Sequence, residues 1–224
     1  MKPWIAIIPI RAGSKGLPGK NTRILAGFPL YMHAVHLALD AGAARVLITT
    51  DIVEVLEADL PKEVLVVKRP PQLCGDDVPM SPVLMHLLMQ EQVQGPVVLL
   101  QATSPIRQVS DVQLALMQLE TGNFDLVMSV TEAERGVLKW GMILDNKRYV
   151  PLADPSYCFA NRQNLPPVYR PNGALYAMNA EWFLSNGSLL TERLGAVIMP
   201  ADRSQDIDSL ADFERCEMLM AQLS

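Results

Sequence analysis

Residues 4–21 read Trp4-Ile-Ala-Ile-Ile-Pro-Ile10 and then Arg11-Ala-Gly-Ser-Lys-Gly-Leu-Pro-Gly-Lys-Asn21. An apolar run of strand length breaks into a glycine-rich loop with three cations, and the loop opens toward an amphipathic helix. Glycines let a backbone approach a ligand and turn successive N–H groups toward it, while Arg11, Lys15 and Lys20 add positive charge. That chemistry suits a polyphosphate; the alternative is a surface turn that uses glycines for geometry and cations for solubility. The loop is not a P-loop, because five residues separate Gly13 from Gly19 and Asn21 follows Lys20 where Ser or Thr would bind a metal. It also lacks the Gly-x-Gly start of the dinucleotide fingerprint.

Working outward, the first 130 residues alternate strand and helix patterns. Strands are predicted at 4–10, 45–50, 64–68, 96–101 and 124–130, and helices at 29–41, 52–57, 81–92 and 109–119. Apolar strands joined by helical crossovers give an α/β fold, a Rossmann-like, mainly parallel sheet with flanking helices. Ligands in such sheets sit beyond the carboxyl ends of the strands. The Arg11 loop, Thr50-Asp51, Arg69-Pro70-Pro71 and Gln101-Ala-Thr-Ser-Pro-Ile-Arg107 all fall at such ends. Residues 132–170 break the pattern, with a hairpin predicted about Asp145-Asn146 and a loop over 154–171. The organisation is therefore one α/β domain, 1–131 with 171–224, carrying 132–170 as an excursion. A strand at 173–178, a short helix at 180–185, a strand at 195–199 and a helix at 209–223 complete it.

A chain of 224 residues, half of them hydrophobic, buries a sizeable core. Its net charge of −5 argues against broad nucleic-acid binding. Cys74, Cys158 and Cys216 lack metal-ligand spacing and read as reduced thiols. The run at 4–10 is too short for a membrane span, so a cytoplasmic protein is expected.

Asp206-Ile-Asp208 precedes the last helix. Residues two apart in extended chain share a face, so both carboxylates can aim at one point, where an oxygen-only pair suits Mg²⁺ held together with phosphates. The alternative is a helix cap at Asp208 or Ser209. Gln101 to Arg107 offers neutral hydrogen-bonding groups and one guanidinium for hydroxyls and a carboxylate, or else a capped turn. Asp51 can serve ribose or a metal, but its place favours a cap on the short helix at 52. Arg162, Arg170 and Asn172 read as a clamp for an anionic substrate or as surface groups. His33, His36 and His86 read as structural, and Met85, Met89 and Met117 as core.

With these stretches in view, the chain resembles the acylneuraminate cytidylyltransferase family, the bacterial CMP-sialic acid synthetases. The resemblance runs through residues 8–21, Thr49-Thr-Asp51, Arg69-Pro70, Asp76, residues 100–107, Arg170-Pro-Asn-Gly-Ala-Leu-Tyr176 and Asp206-Ile-Asp208. It implies the nucleotide-diphospho-sugar transferase type of sheet, and a Mg²⁺-dependent reaction. CTP and a nine-carbon 3-deoxy-2-ulosonic acid would give the CMP-sugar and pyrophosphate. By resemblance Arg11, Ala12, Gly13, Ser14, Lys15, Lys20 and Asn21 cradle the nucleotide with Asp76, and Arg69 fixes the cytidine. Gln101, Thr103, Ser104, Arg107, Arg170, Asn172 and Tyr176 face the sugar. Asp206 and Asp208 hold the metal and, with Lys20, form the catalytic group. Lys139 and Arg162 fall on the family's dimer arm and reach the neighbour's sugar site, so a homodimer is implied, with no nucleic-acid or membrane partner. Relatives commonly carry Ser or Thr near Met80, and some carry an aromatic pair at Leu189-Leu190, so these positions depart from the pattern. The acid stays open among N-acetylneuraminic, pseudaminic, legionaminic and deaminated forms. The rivals are an eight-carbon (Kdo) enzyme and a nucleotide-binding regulator without chemistry.

Overall fold

The computed structural model describes residues 2–13 and 16–223. The expectations for Ser14 and Lys15 lie outside the described residues. Strand β1 (Ile5–Pro9) leads through the glycine-rich loop into a small hairpin, β2 (Ile24–Leu25) and β3 (Phe28–Pro29), and then α1 (Leu30–Asp40). Next come β4 (Arg45–Thr50), α2 (Val53–Leu56), β5 (Val64–Lys68), α3 (Met80–Gln90), β6 (Pro96–Leu100) and α4 (Val109–Glu120). β7 (Leu126–Ala133) gives way to α5 (Val137–Trp140) and a second hairpin, β8 (Met142–Asp145) and β9 (Arg148–Pro151). β10 (Val168–Asn179), α6 (Ala180–Asn186), β11 (Leu194–Ile198) and α7 (Leu210–Leu223) close the chain.

The main sheet runs β11-β7-β10-β6-β1-β4-β5. All its pairings are parallel except those of β10, which lies antiparallel to both β6 and β7. The exception has a simple cause. A parallel return needs a crossover helix, whereas the segment between β7 and β10 is an arm that comes back beside its own root. Two cores flank the sheet. Ala34, Val35 and Ala38 of α1 and Val112, Ala115 and Leu116 of α4 pack against Ile8, Ile48 and Val98. On the other face Leu84, Leu87 and Leu88 of α3 and Phe183 of α6 cover Ile7, Leu47 and Leu99. Strands buried on both faces need apolar side chains in both alternations, hence the unbroken runs at 5–8 and 97–100.

A third cluster lies at the carboxyl edge. Leu17 of the glycine-rich loop, Leu25, Leu30, Ile106, Ile207, Phe213 and Cys216 form it. It clamps α7 onto the loops rather than onto the sheet.

Four expectations change. The stretch 154–171 is not loop throughout: β10 begins at Val168, and Val168, Tyr169 and Arg170 pair with Ala133, Glu132 and Thr131. Correspondingly β7 starts later and runs longer than 124–130, because its second half has this partner. The hairpin turns at Asn146-Lys147, one residue beyond the expected Asp145-Asn146, with φ of 44° and 67° as a two-residue hairpin turn requires. Met89 and Met117 are not core: they are 64 % and 57 % exposed on the outer faces of α3 and α4, and only Met85 packs inward. No described helix is long and apolar enough to cross a membrane.

Candidate active site

The carboxyl ends of β1, β4, β5 and β6 lie side by side, so the four polar loops do converge. Local bonds hold them together. The Ile10 N–H donates to Thr49 O at 3.1 Å, and the Arg69 N–H to Thr50 O at 2.7 Å. Arg69, 4 % exposed, also donates from its guanidinium to Thr49 O at 2.8 Å. Burial lowers its pKa, and the nearby Cys74 and Asp51 oppose the shift.

These loops wall a cavity of about 150 Å³ lined by Arg11, Lys20, Asn21, Arg69, Met80, Gln101 and Thr103. Arg11 forms an ion pair with Asp76, bridging the glycine-rich loop to the segment after β5. Asn21 donates its amide to Arg11 O at 3.0 Å. Met80, at the start of α3, does reach this cavity.

A second cavity, of about 480 Å³, opens beside it and is lined by Arg170, Asn172, Gly173, Tyr176, Ser204 and Asp206 among others. A bulge in β10 shapes its wall. Pro171 pairs with Val130 and Tyr176 with Met128, so five steps on β10 span two on β7. Asn172, 6 % exposed, stitches this surplus backbone: its Oδ1 accepts from Ser129 Oγ at 2.5 Å and the Ala174 N–H at 3.2 Å, and its Nδ2 donates to Ser204 Oγ at 2.9 Å. Gly173 turns the corner at φ 77°. Asn172 thus lines the cavity with its amide already committed.

Arg107 is buried beneath the cavity wall instead of facing it. Its guanidinium donates to Ala174 O, and its Nε and second terminal nitrogen have no partner among the described residues, as is true of the Ser104 hydroxyl. Burial lowers the Arg107 pKa to about 9 against the opposing charges of Asp111 and Asp206, so it stays cationic at neutral pH. Ala174 O also accepts the Gln101 N–H at 3.3 Å. The bulge and the Gln101–Arg107 loop therefore meet on one carbonyl.

Asp206-Ile207-Asp208 joins the two cavities. Ile207 is fully buried in the third cluster, and its N–H donates to Thr103 O at 2.9 Å. Alternation then places both aspartates on the opposite side. Asp206 lines the larger cavity; Asp208 takes Lys20 Nζ at 2.9 Å beside the smaller one, and Lys20 also donates to Ile207 O. Burial raises the Asp206 pKa, with the charges of Asp208 and Asp212 adding to it and the Thr103 hydroxyl opposing. Burial and the Asp206 charge likewise raise that of Tyr176. The helix-cap alternative falls to Ser209, which exchanges bonds with Asp212 as a capping box: its N–H donates to Asp212 Oδ2 at 2.8 Å, and the Asp212 N–H returns to Ser209 Oγ at 3.3 Å. Asp208 is left free for the site.

Among the described residues no group of three or more His, Cys, Asp or Glu forms a metal cage. Two carboxylates that repel one another suit a hard divalent cation that takes its remaining oxygens from a phosphate substrate. The donor set therefore fits Mg²⁺.

Lys139 and Arg162 stand apart on the arm. Lys139 Nζ donates to Ala160 O at 3.0 Å, and Arg162 pairs with Glu134 at 3.2 Å. Asp51 corrects a reading: it does not cap α2, whose N-cap is Ile52, but accepts the Ala12 N–H at 2.8 Å. His33 bonds Leu25 O and packs, like His36, edge-on to Phe28, a structural use. Reading residue types alone missed Ser204 and Gln205 as cavity lining; their place directly before Asp206 is the only sequence signal for them.

Two predictions follow from this geometry. Gly16 lies so close to the Asp208 carbonyl that a Cβ would stand 2.3 Å from it. Gly16→Ala should displace the aspartate pair and lower kcat/KM at least about tenfold while circular dichroism stays native; unchanged kinetics would show that the pair tolerates movement. Asp206 has a folded pKa above its unfolded one, so its contribution to stability is present in acid and lost as pH rises through the folded pKa. Asp206→Asn should therefore raise Tm at pH 7, with the gain shrinking in acid. A variant that melts no later than wild type at pH 7 would contradict this.

The comparisons with known proteins agree with this geometry. A family model described as Cytidylyltransferase matches residues 5–193. An N-acylneuraminate cytidylyltransferase of Streptococcus agalactiae is 34 % identical over 218 residues, 95 % of this chain but 52 % of that protein, so the chain spans about half the length of this relative. A CMP-N,N'-diacetyllegionaminic acid synthase of Legionella pneumophila is 29 % identical over 96 % of this chain and 95 % of its own length. Among solved structures, a CMP:2-keto-3-deoxy-manno-octonic acid synthetase complexed with CTP superposes with a TM-score of 0.75 at 18 % identity, covering 100 % of both chains, which is a likeness of fold. With sheet, loops and family model in agreement over most of its length, the chain belongs to the cytidylyltransferase family.

Proposed function

We propose that this protein joins CTP to a nine-carbon 3-deoxy-2-ulosonic acid of the sialic acid type, releasing pyrophosphate. The observation that carries the reading is the pair of adjoining cavities bridged by Asp206-Ile207-Asp208. The smaller cavity, with Arg11, Lys20 and Arg69, suits a nucleotide; the larger, with Arg170, Tyr176 and neutral polar groups, suits a hydroxylated acid. The relatives' names support the same substrates.

In this reading the anomeric hydroxyl oxygen attacks the α-phosphorus, the bond to the pyrophosphate oxygen breaks, and the hydroxyl proton is lost. Such a displacement needs alignment and charge neutralisation more than a protein nucleophile. Arg11 and Lys20 meet the charge that grows on the leaving group, and Arg69 fixes the nucleoside end. Asp206 and Asp208 would hold Mg²⁺ jointly with phosphate oxygens, and the ion would supply further neutralisation there. The three free thiols suit the cytoplasm as the place of work.

The arm supports a homodimer. Trp140, Tyr149 and Phe159 are 62 %, 73 % and 91 % exposed, and Leu194 and Ile198 lie open on the edge strand β11. Apolar exposure of this extent marks an interface. Lys139 and Arg162 would then complete the partner's sugar site.

Pyrophosphate release with CTP and Mg²⁺ should occur with one of N-acetylneuraminic, pseudaminic, legionaminic or deaminated acid, and should vanish in Asp208→Ala. Turnover with Kdo alone would select the eight-carbon rival, and CTP binding without release from any acid would select a regulator. If the arm completes the neighbouring site, an equimolar, randomly paired mixture of Arg162→Ala and Lys20→Ala chains should regain about a quarter of wild-type activity, because about half of the dimers are mixed and each of those holds one intact site of two. Verified mixed dimers without recovery would make each chain self-sufficient.

A further inference from the structure

The turn from β4 into α2 distributes its polar groups unexpectedly. Thr50 Oγ1 takes the Ile52 N–H at 3.0 Å, and Ile52, the N-cap of α2, is followed by a helix with no side-chain cap, so Asp51 is not engaged there. The Asp51 carboxylate crosses 39 residues of sequence to accept the Ala12 N–H at 2.8 Å. Ala12 is joined to Arg11 by a peptide whose carbonyl is also bound, by the Asn21 amide at 3.0 Å. Both polar ends of one peptide group, the C=O of Arg11 and the N–H of Ala12, are therefore held by side chains from two different places in the fold. Asp51 stands on the end of a buried strand, and Asn21 is itself 6 % exposed. Neither anchor is loose. The Arg11 guanidinium beyond this peptide pairs with Asp76 and lines the smaller cavity.

We propose that Asp51 is a positioning residue for the nucleotide, acting through Ala12: with Asn21 it locks the Arg11–Ala12 peptide plane and so sets where Arg11 enters the cavity. The proposal rests on the smaller cavity being the CTP site. A glycine-rich loop has much backbone freedom to lose when it closes on a ligand, and each rotation fixed beforehand is a cost the ligand does not meet. Ala12 has no side chain with which to fix itself. A carboxylate is well suited to this duty because it binds an N–H strongly. Its charge is offset locally, since the Arg69 guanidinium lies near enough to feel it. The arrangement leaves Arg11, and not the Asp51 carboxylate, as the group offered to phosphate.

The test compares Asp51→Ala with Asp51→Asn, whose amide oxygen still accepts from Ala12. CTP affinity by titration calorimetry and the CTP KM should weaken about tenfold in Asp51→Ala, with kcat within about threefold and the KM for the acid unchanged. Asp51→Asn should recover most of the affinity. A purely structural role would lower Tm without separating KM from kcat. Wild-type CTP affinity in Asp51→Ala overturns the proposal, as does an Asp51→Asn variant no better than Asp51→Ala, or a loss confined to kcat. Should Asp51→Ala fail to fold, the wild-type protein decides: the Ala12 amide should exchange with solvent slowly before CTP is added, and exchange at the rate of an open loop overturns the lock. Wild-type protein that binds no CTP at all would overturn the nucleotide reading and this inference together, whereas normal wild-type binding with an unaffected Asp51→Ala removes only the inference.

Discussion

The burial of Ile207 is the contact on which the site depends. A fully buried side chain on extended backbone dictates where its two neighbours point, and here those neighbours are the acidic pair. The same residue receives Lys20 on its carbonyl and gives its N–H to Thr103, so one isoleucine ties together the glycine-rich loop, the loop after β6 and the last helix. Leu17, Ile106 and Phe213 come from those three segments and surround it. A side chain of this size contributes about 1.5–3 kcal/mol by burial alone. That energy is spent at the place where three separate stretches of chain must agree on a common geometry.

Charge is balanced within the same region before any ligand arrives. Arg11 pairs with Asp76 and Lys20 with Asp208, while the charge of Asp51 reaches Arg69 at longer range. An array of opposite charges at a sheet edge can remain partly desolvated without strong net repulsion, whereas isolated ones would incur the full cost of burial. Asp206 has no ion pair among the described residues, and burial, with the charges of Asp208 and Asp212 adding to it, raises its pKa. Each of the other acids already has a positive neighbour whose position a phosphate could share.

Much of this was legible in the residues. Apolar runs at 5–8, 46–48 and 97–100 declared the parallel sheet, because strands covered on both faces carry no polar alternation. The loops at the strand ends, the aspartate pair and the cations Arg11 and Lys20 pointed to the candidate site, where the fold brings them together. What could not be read has a common physical character: it depends on contacts distant in sequence. The antiparallel insertion of β10 follows from its pairing with β6 and β7, not from its own composition, and its first residues, Val168-Tyr-Arg-Pro171, look like loop until a partner strand is supplied. The bulge at Asn172 needs Ser129 and Ser204, from two other segments. Asp51 invites a capping role by its position before a helix, and only the fold shows that its carboxylate turns to the Ala12 N–H instead. Met89 and Met117 were misjudged because apolar character at helical spacing does not say which stripe of a helix faces inward.

The root of the arm has an evolutionary consequence. Val168 to Arg170 pair with Thr131 to Ala133, and this short ladder joins the arm to the cavity wall, which begins at its last residue, Arg170. Changes in the chain between residues 134 and 167 reach the wall of the same subunit only through that ladder. Insertions, deletions or wholesale replacement of the arm would leave the register of Tyr176 against Met128 and Leu99 intact. The arm can thus change in length and shape on one side of the ladder without moving its own subunit's pocket wall on the other.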